Sequence, residues 1–478
     1  MDRASLVEAE NAALRVRVVE QDAEIAALRQ QVVELTARLE QNPRNSSKPP
    51  SSEGYAKPAP KSRRTRSGRR PGKQPGSPGT HLAKVAEPDT VVVHTPQACA
   101  SCGEGLDDAE LAGVETRQVF DIPPLRLDVT EHRVQRRRCG CGMVTAGVFP
   151  AAARGPATYG PGVRALAVYL LAYQHLPYDR AAGLLADVLA APVSVGTLAA
   201  IMREGAERVA PFLDVARARL AAAEVAHFDE TGARVAGKLH WVHSASTDLW
   251  TLYTAHPKRG KEAMDAGGVL AGFAGVAVHD GWASYRRYAD LAHGLCNAHH
   301  LRELEAAAEQ PGQGWASDMA TLLCDTLTAV DAAKAAGCDR LDAATLADVA
   351  RRYEQAVAAG HAANPPPPRS GKRGRTAKSK AANLLGRLDD YRDDVLRFAA
   401  DFAVPFDNNL AERDIRMIKL QQKISGCWRT LAGAEAFCAL RSYISTARKH
   451  HVGVLDALAQ AFNDPWLPNA VPQTAAAA

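Results

Sequence analysis

The 478-residue chain has no apolar run approaching the roughly 20 residues that a membrane-spanning helix requires. Its N-terminus, MDRASLVEAENAAL, lacks the basic-then-apolar layout of a secretory leader. The expectation is an intracellular, cytoplasmic protein with no membrane partner. Strong net charge is also missing: +5 is modest for a chain of this length and argues only weakly for a polyanionic partner. Acids, however, are nearly absent locally, since ten Lys or Arg residues and only Glu53 lie between Arg44 and Lys73. A second basic knot, RSGKRGRTAKSK, covers 369–380. Cysteine is sparse, with nine in all, and four fall together as Cys99, Cys102, Cys139 and Cys141. In a reducing compartment such a cluster suggests metal, whereas Cys296, Cys324, Cys338, Cys427 and Cys438 are scattered and read as small buried hydrophobes.

What is present divides the chain into several parts, and 46% hydrophobic with 23% charged residues is ordinary for a folded, multidomain α+β protein. Residues 1–41 carry a heptad seam, with Val18, Ile25, Val32 and Leu39 at one position and Leu14, Leu28 and Leu35 at the other. Asn11 and Gln21 interrupt it with polar groups of the kind that fix register. The reading is a parallel coiled coil and hence a homo-oligomer; the alternative is one amphipathic helix docked on its own domain. Residues 42–90 are largely Pro, Ser, Gly, Lys and Arg and cannot bury a core, so they read as a flexible basic linker able to track phosphates.

In 91–150, CASC and RRRCGCG offer two close thiol pairs that suit tetrahedral zinc held by Cys99, Cys102, Cys139 and Cys141, with strand-like alternation in RLDVTEHRVQRR between them. A closed four-thiolate site leaves no open position, so its role is architectural. Residues 155–222 read as three helices in a helix-turn-helix-like DNA-binding module, with Ser194 or Thr197 placed to cap the third.

From 223 the pattern changes to short apolar strands: VAHFD, LHWVHSAS, LWTLYTA and GVAVHD. Asp229 closes the first and Asp280 the fourth. If these strands are neighbours, both carboxylates reach one rim of the sheet, where ligands of open α/β sheets collect. Either Asp alone also suits a turn or helix cap. A third acid, Glu412, stands near the start of a helix in PFDNNLAERDIRMIKLQQKISGCWRT, on one face with Arg416, Lys419 and Lys423. A capping box from Asn409 to Glu412 with solvated cations beyond is the other reading.

The blocks HFDETGARVAGKLHWVHS, HDGWASY, CNAHHLREL and NNLAERDIRMIKLQQKISGCWR, in that order, resemble the insertion sequence sixty-six family of bacterial DDE transposases. The leading coiled coil, NSSKPPSS and the zinc ribbon match that family's layout too. The resemblance implies a ribonuclease-H-like α/β catalytic domain at 223–305 and 389–450, split by a helical insertion at 306–388 and followed by a tail at 451–478. It implies that Asp229, Asp280 and Glu412 are the catalytic acids and hold Mg²⁺ or Mn²⁺, besides a structural Zn²⁺. The partners implied are transposon ends and target DNA in the nucleoid, with accessory proteins of the same element compatible with the family.

Three acids suit two hard cations about 3.5–4 Å apart that serve both ends of an in-line phosphoryl displacement. Glu230 follows Asp229 on the opposite strand face and receives no metal role. Arg416, Lys419 and Lys423 suit phosphates flanking the cleavage point, and His299 and Arg302 are further candidates for DNA contact. Cys296, His299 and His300 also invite a metal reading, against ordinary hydrogen bonding at a strand-to-helix junction. Trp282 and Trp428 suit either base stacking or a core. A non-enzymatic zinc-containing DNA-binding regulator, and a nuclease without strand transfer, are the rival functions.

Overall fold

The computed structural model describes residues 3–39, 76, 82–123, 125–150, 152–366 and 378–468. Most of the expected basic linker (40–75) and of the basic knot (369–377) lies outside the described residues. The first element is a single helix, α1 (Arg3–Leu39), whose 37 residues span roughly 55 Å at 1.5 Å each. Its seam residues Leu14, Val18, Ile25, Leu28, Val32, Leu35 and Leu39 are all exposed. The alternative of docking along this seam on the chain's own domain is thereby removed for these side chains.

Residues 82–150 carry little regular structure. One antiparallel pair, β1 (Arg136–Arg138) and β2 (Val144–Ala146), flanks the second cysteine pair, and an isolated bridge between Ala98 and Gly105 flanks the first. The alternation in RLDVTEHRVQRR extends into a ladder only at its last residues, because 126–135 has no strand partner.

The helices that follow are α2 (Pro161–Val168), continued by a π turn at Tyr169–Tyr173, then α3 (Tyr178–Leu189), α4 (Val195–Arg208) and α5 (Ala210–Ala221). Ser194 caps α4 by accepting from the Thr197 amide at 3.1 Å. The expected third helix is two, since Pro211 has no amide proton for a continuing helix and sits instead in the first turn of α5. These helices share one continuous hydrophobic core with the sheet beyond them, through Leu198, Phe212 and Leu220 packed with Trp250, Leu440 and Tyr443.

That sheet contains β3 (Val225–Val235), β4 (Lys238–Ser246), β5 (Thr251–His256), β6 (Val276–His279) and β7 (Ala292–Leu295), ordered β5-β4-β3-β6-β7. The first three form an antiparallel meander; β6 and β7 run parallel to β3. Ala236 and Gly237, with φ of 49° and 75°, make the two-residue turn between β3 and β4. One expectation is corrected here: β3 does not stop at Asp229 but runs on to Val235. Its antiparallel partner β4 accompanies it through Val235, whereas the last register pair with β6 is His227 and Val278. Asp229 therefore marks the end of parallel pairing, not the end of the strand.

Between β5 and β6 lies α6 (Lys261–Ala266). After β7 come α7 (Asn297–Ala308), α8 (Gly314–Ala335), α9 (Ala343–Ala363), α10 (Lys380–Asp390) and α11 (Arg392–Ala400), which build a second core around Leu304, Trp315, Met319, Tyr353 and Leu384. The chain then returns to the sheet as α12 (Asn409–Ser425) against β3 and β4, and α13 (Leu431–Lys449) across β5. Residues 454–461, expected within a tail, form α14 (Val454–Ala461), whose Ala457, Leu458 and Ala461 are fully buried in the first core.

Candidate active site

The parallel register of β3 and β6 sets Val225 opposite Val276, Ala226 opposite Ala277 and His227 opposite Val278. Two residues beyond the last pair on each strand stand Asp229 and Asp280, so the acids leave neighbouring parallel strands at the same level. Asp280 Oδ1 accepts from the Trp282 amide at 2.8 Å. The turn and the rim position thus coexist, the turn using one carboxylate oxygen. Gly281, at φ 86°, donates its amide to His279 Nδ1 at 2.9 Å, and His279 Nε2 meets His293 Nδ1 at 3.0 Å. His279 also stacks on Tyr285 at 4.2 Å. This buried imidazole pair, held neutral mainly by burial, sets the turn that presents Asp280.

Asp229 is half-buried and accepts from the Glu230 amide at 2.8 Å. Burial, followed by the charges of Glu230, Asp280 and Glu412, raises its pKa well above the usual carboxylate range. Of these neighbours Glu230 is itself paired with Arg259, at 2.6 Å.

Glu412 arrives on α12, and the sequence 180 residues away decides where that helix starts. Asn408, 1% exposed, donates its side-chain amide to the Phe228 carbonyl at 2.8 Å and meets His227 Nδ1 at 2.9 Å through Oδ1. Its own amide donates to Cys296 Sγ at 3.2 Å. The helix is thus moored one residue before Asp229. Asp414, one turn's face away, accepts from Ser246 Oγ at 2.7 Å and Thr251 Oγ1 at 2.9 Å and pairs with Lys449 at 2.9 Å. The far end of α12 is clamped where Gln422 Oε1 accepts from the Arg234 amide at 3.0 Å. The capping box is absent: no side chain caps α12, and Asn409 bonds to Asp407 instead.

Glu412 Oε1 and His299 Nδ1 face each other at 3.7 Å, too far for a hydrogen bond, and each is a buried atom without a partner. His299 stands in the first turn of α7 and is kept neutral by burial first and by Arg302 second. Cys296, His299 and Glu412 offer ligand atoms all within 4.8 Å of one another, and among the described residues no other trio of metal-ligating side chains does. Cys296 is buried, with its thiol pushed up to about 12. His300 is fully buried, bonds Asn297 Oδ1 at 3.0 Å, and has its pKa lowered to about 3 by burial. The buried, unpartnered oxygen of Glu412 and the raised proton affinity of Asp229 are features that a divalent cation would satisfy.

Several neighbours were not legible in the sequence. Glu230, on the opposite face, accepts from Arg259 Nε at 2.9 Å and from Tyr285 Oη at 2.7 Å. The Arg259 guanidinium lies 3.9 Å from the Trp282 ring and 4.7 Å from that of Trp241. Trp282 is thus occupied by an arginine, while Trp428 is buried 5.3 Å from Phe437 as a core residue. Arg416, Lys419 and Lys423 are exposed in a row along α12 and take part in no ion pair among the described residues. Arg302 is half-buried and bonds the Ala298 carbonyl at 3.2 Å.

The zinc candidates form two similar turns. Gly103 at φ 78° returns its amide to the Cys99 carbonyl at 2.9 Å, and Gly142 at φ 90° does so to Cys139 at 2.9 Å. Backbone amides at Cys102 and Cys141 lower the pKa of Cys99 and Cys139 respectively, which favours the metal-binding thiolate. No three of the four sulfurs lie within 4.8 Å of one another, so each turn is formed while the two pairs stand apart.

The sheet gathers Asp229 and Asp280 at one rim, and two close cysteine pairs stand in the region that precedes it. Comparison with known families makes this specific. The transposase IS66 family matches residues 156–436, more than half of the chain, and the zinc-finger binding domain of transposase IS66 matches 96–142. A family of unknown function (DUF6444) matches 3–83. The chain belongs to the transposase IS66 family, and with it come DNA as partner and a zinc-finger domain. No curated protein matches the chain. Among the described residues no helix is long and apolar enough to cross a membrane.

Proposed function

We propose that the protein is a DDE transposase that cleaves the ends of its insertion sequence and joins them to target DNA, with Asp229, Asp280 and Glu412 as the catalytic acids. The observation that carries this reading is the level position of Asp229 and Asp280 on neighbouring parallel strands, with Glu412 moored beside them through Asn408. The sheet order and the entry of α12 from beyond a helical segment support a ribonuclease-H-like fold. Mg²⁺ or Mn²⁺ bound by these carboxylates would stabilise charge on the phosphate and activate the attacking oxygen. The side chains supply everything else. Exposed Arg416, Lys419 and Lys423 grip flanking phosphates, with His299 and Arg302 at the opposite wall. Water attacks the phosphate at the transposon end and the 3′-oxygen leaves with a proton; that 3′-hydroxyl then loses its proton and attacks a target phosphate, from which the target strand's own 3′-oxygen leaves and takes up a proton. No Ser, Cys or Tyr nucleophile is required.

Cys99, Cys102, Cys139 and Cys141 hold a structural Zn²⁺ in this reading, and α1 pairs with a second copy through its exposed heptad seam. End-labelled transposon termini incubated with Mg²⁺ should yield cleaved and joined products, and Asp280→Asn should bind the same DNA without cleaving it. Cleavage retained by Asp280→Asn would remove Asp280 from the catalytic acids, and wild-type protein that binds the termini without cleaving them would leave a zinc-containing regulator.

A further inference from the structure

Two buried atoms, His299 Nδ1 and Glu412 Oε1, point at each other across 3.7 Å with no hydrogen-bond partner on either side. Unsatisfied buried polar atoms are costly, so a facing pair calls for something between them. Direct bonding is excluded by distance. Two donors each about 2.1 Å from a shared ion can be at most about 4.2 Å apart, and this separation falls inside that limit. The pair is supplied by two first helical turns, α7 and α12, whose positions are set independently: Asn297 bonds the Val395 carbonyl at 2.9 Å, and Asn408 bonds β3. Both side chains keep about a quarter of their surface exposed, which leaves an approach from solvent. Cys296 Sγ lies nearby but is 1% exposed and already accepts from the Asn408 amide, so it braces the start of α12.

We propose that His299 Nδ1 is a nitrogen ligand of the divalent ion held by Glu412, making that position selective for Mn²⁺ and later transition ions over Mg²⁺. The proposal rests on the acidic-site reading above and adds to it an asymmetry: one ion position lined only by carboxylate oxygens, one with an imidazole. Mg²⁺ strongly prefers oxygen donors, whereas transition ions accept imidazole readily. His299 therefore acts on metal, and any DNA contact it makes is secondary.

The test uses full-length, zinc-replete protein without DNA. Pulsed EPR of the protein loaded with one equivalent of Mn²⁺ should show coupling to an imidazole nitrogen, absent in His299→Ala. Titration should show Mn²⁺ affinity falling about tenfold or more in His299→Ala and Mg²⁺ affinity changing less than about threefold. His299→Asp, which exchanges nitrogen for oxygen, should bind both ions and lose the Mn²⁺ preference, and unchanged melting of either variant certifies folding. Glu412→Gln should weaken both ions. If His299→Ala keeps the nitrogen coupling and wild-type Mn²⁺ affinity while Glu412→Gln loses it, the histidine ligand is wrong and the acidic site stands. If neither ion binds the wild-type protein, both are wrong.

Discussion

Residues 82–150 and residues 161–462 are held in shape by different physics. In the first, no described hydrophobic residue is buried, and Val119, Val129 and Val148 are each more than 90% exposed. Its order consists of two cysteine turns and a three-residue hairpin. In the second, a continuous apolar core runs from α2 through the sheet to α14. A region without a core must take its stability from elsewhere, and bound metal supplies folding free energy directly. The second region can instead spend burial on holding three carboxylates close together, an arrangement unfavourable in itself.

The largest difference should appear when each region loses what is special to it. Asp280→Asn should lower cleavage by about 10³-fold or more, since several kcal/mol of transition-state stabilisation go with one metal ligand. It should leave melting unchanged or raised, because the substitution removes a charge that acts on Asp229 and Glu230. Zinc removal should act instead on the N-terminal region. Hydrogen exchange after zinc removal should show amides of 96–142 exchanging nearly as an unfolded chain, with β3 to β7 still protected. Loss of protection in the sheet would break the comparison. Within the core, Asp414→Ala should cost about 3 kcal/mol in denaturant unfolding, because it leaves Lys449 buried without its carboxylate.

These contrasts also explain what could be read from residues alone. Helix α3 coincides with YDRAAGLLADVL because its apolar spacing and its end at Ala190, in the left-handed conformation, are local properties. Asp229 and Asp280 could be singled out because each terminates an apolar run. The length of β3 could not, since where it stops depends on how far β4 accompanies it. Asp414 carried no signal at all: its partners Ser246 and Thr251 lie on other strands, more than 160 residues away. The mooring of α12 carried no local signal either, because nothing near Asn408 in sequence reveals its bond to the Phe228 carbonyl. Cys99, Cys102, Cys139 and Cys141 were legible as two pairs because each pair is close in sequence, whereas the approach of one pair to the other is not a local property.

Acid should separate the regions more gently. His175 and His243 have pKa values lowered to about 4 and His300 to about 3, each chiefly by burial. A depressed histidine gives stability that is complete above its unfolded value, near 6.5, and is lost as pH falls toward the folded value. Each such group contributes a slope of about 1.4 kcal/mol per pH unit in that window. Asp229 and Glu230 act oppositely, since their raised pKa values make the fold more stable as pH falls through them. Burial also lowers the pKa values of His227, His279, His293, His299 and His450, so histidines outnumber these two acids and urea midpoints of the core should fall between about pH 6.5 and 4. A midpoint that rises over that range would show the acids winning.

The smallest effect on the core should come from α1. Leu28→Asp places a charge in the middle of the exposed seam, at a position where an apolar knob is needed for helix pairing. In a monomer that substitution is nearly neutral, because Leu28 is 53% exposed and buries nothing against the rest of the chain. In a coiled-coil dimer it removes a central layer and introduces two facing charges. Sedimentation equilibrium should therefore show the oligomer dissociating, while the melting of the core shifts by less than about 1 kcal/mol in equivalent stability, as expected of a surface change. A loss of core stability larger than that would mean that α1 supports the catalytic region directly, and the division between a self-sufficient core and dependent N-terminal parts would have to be redrawn.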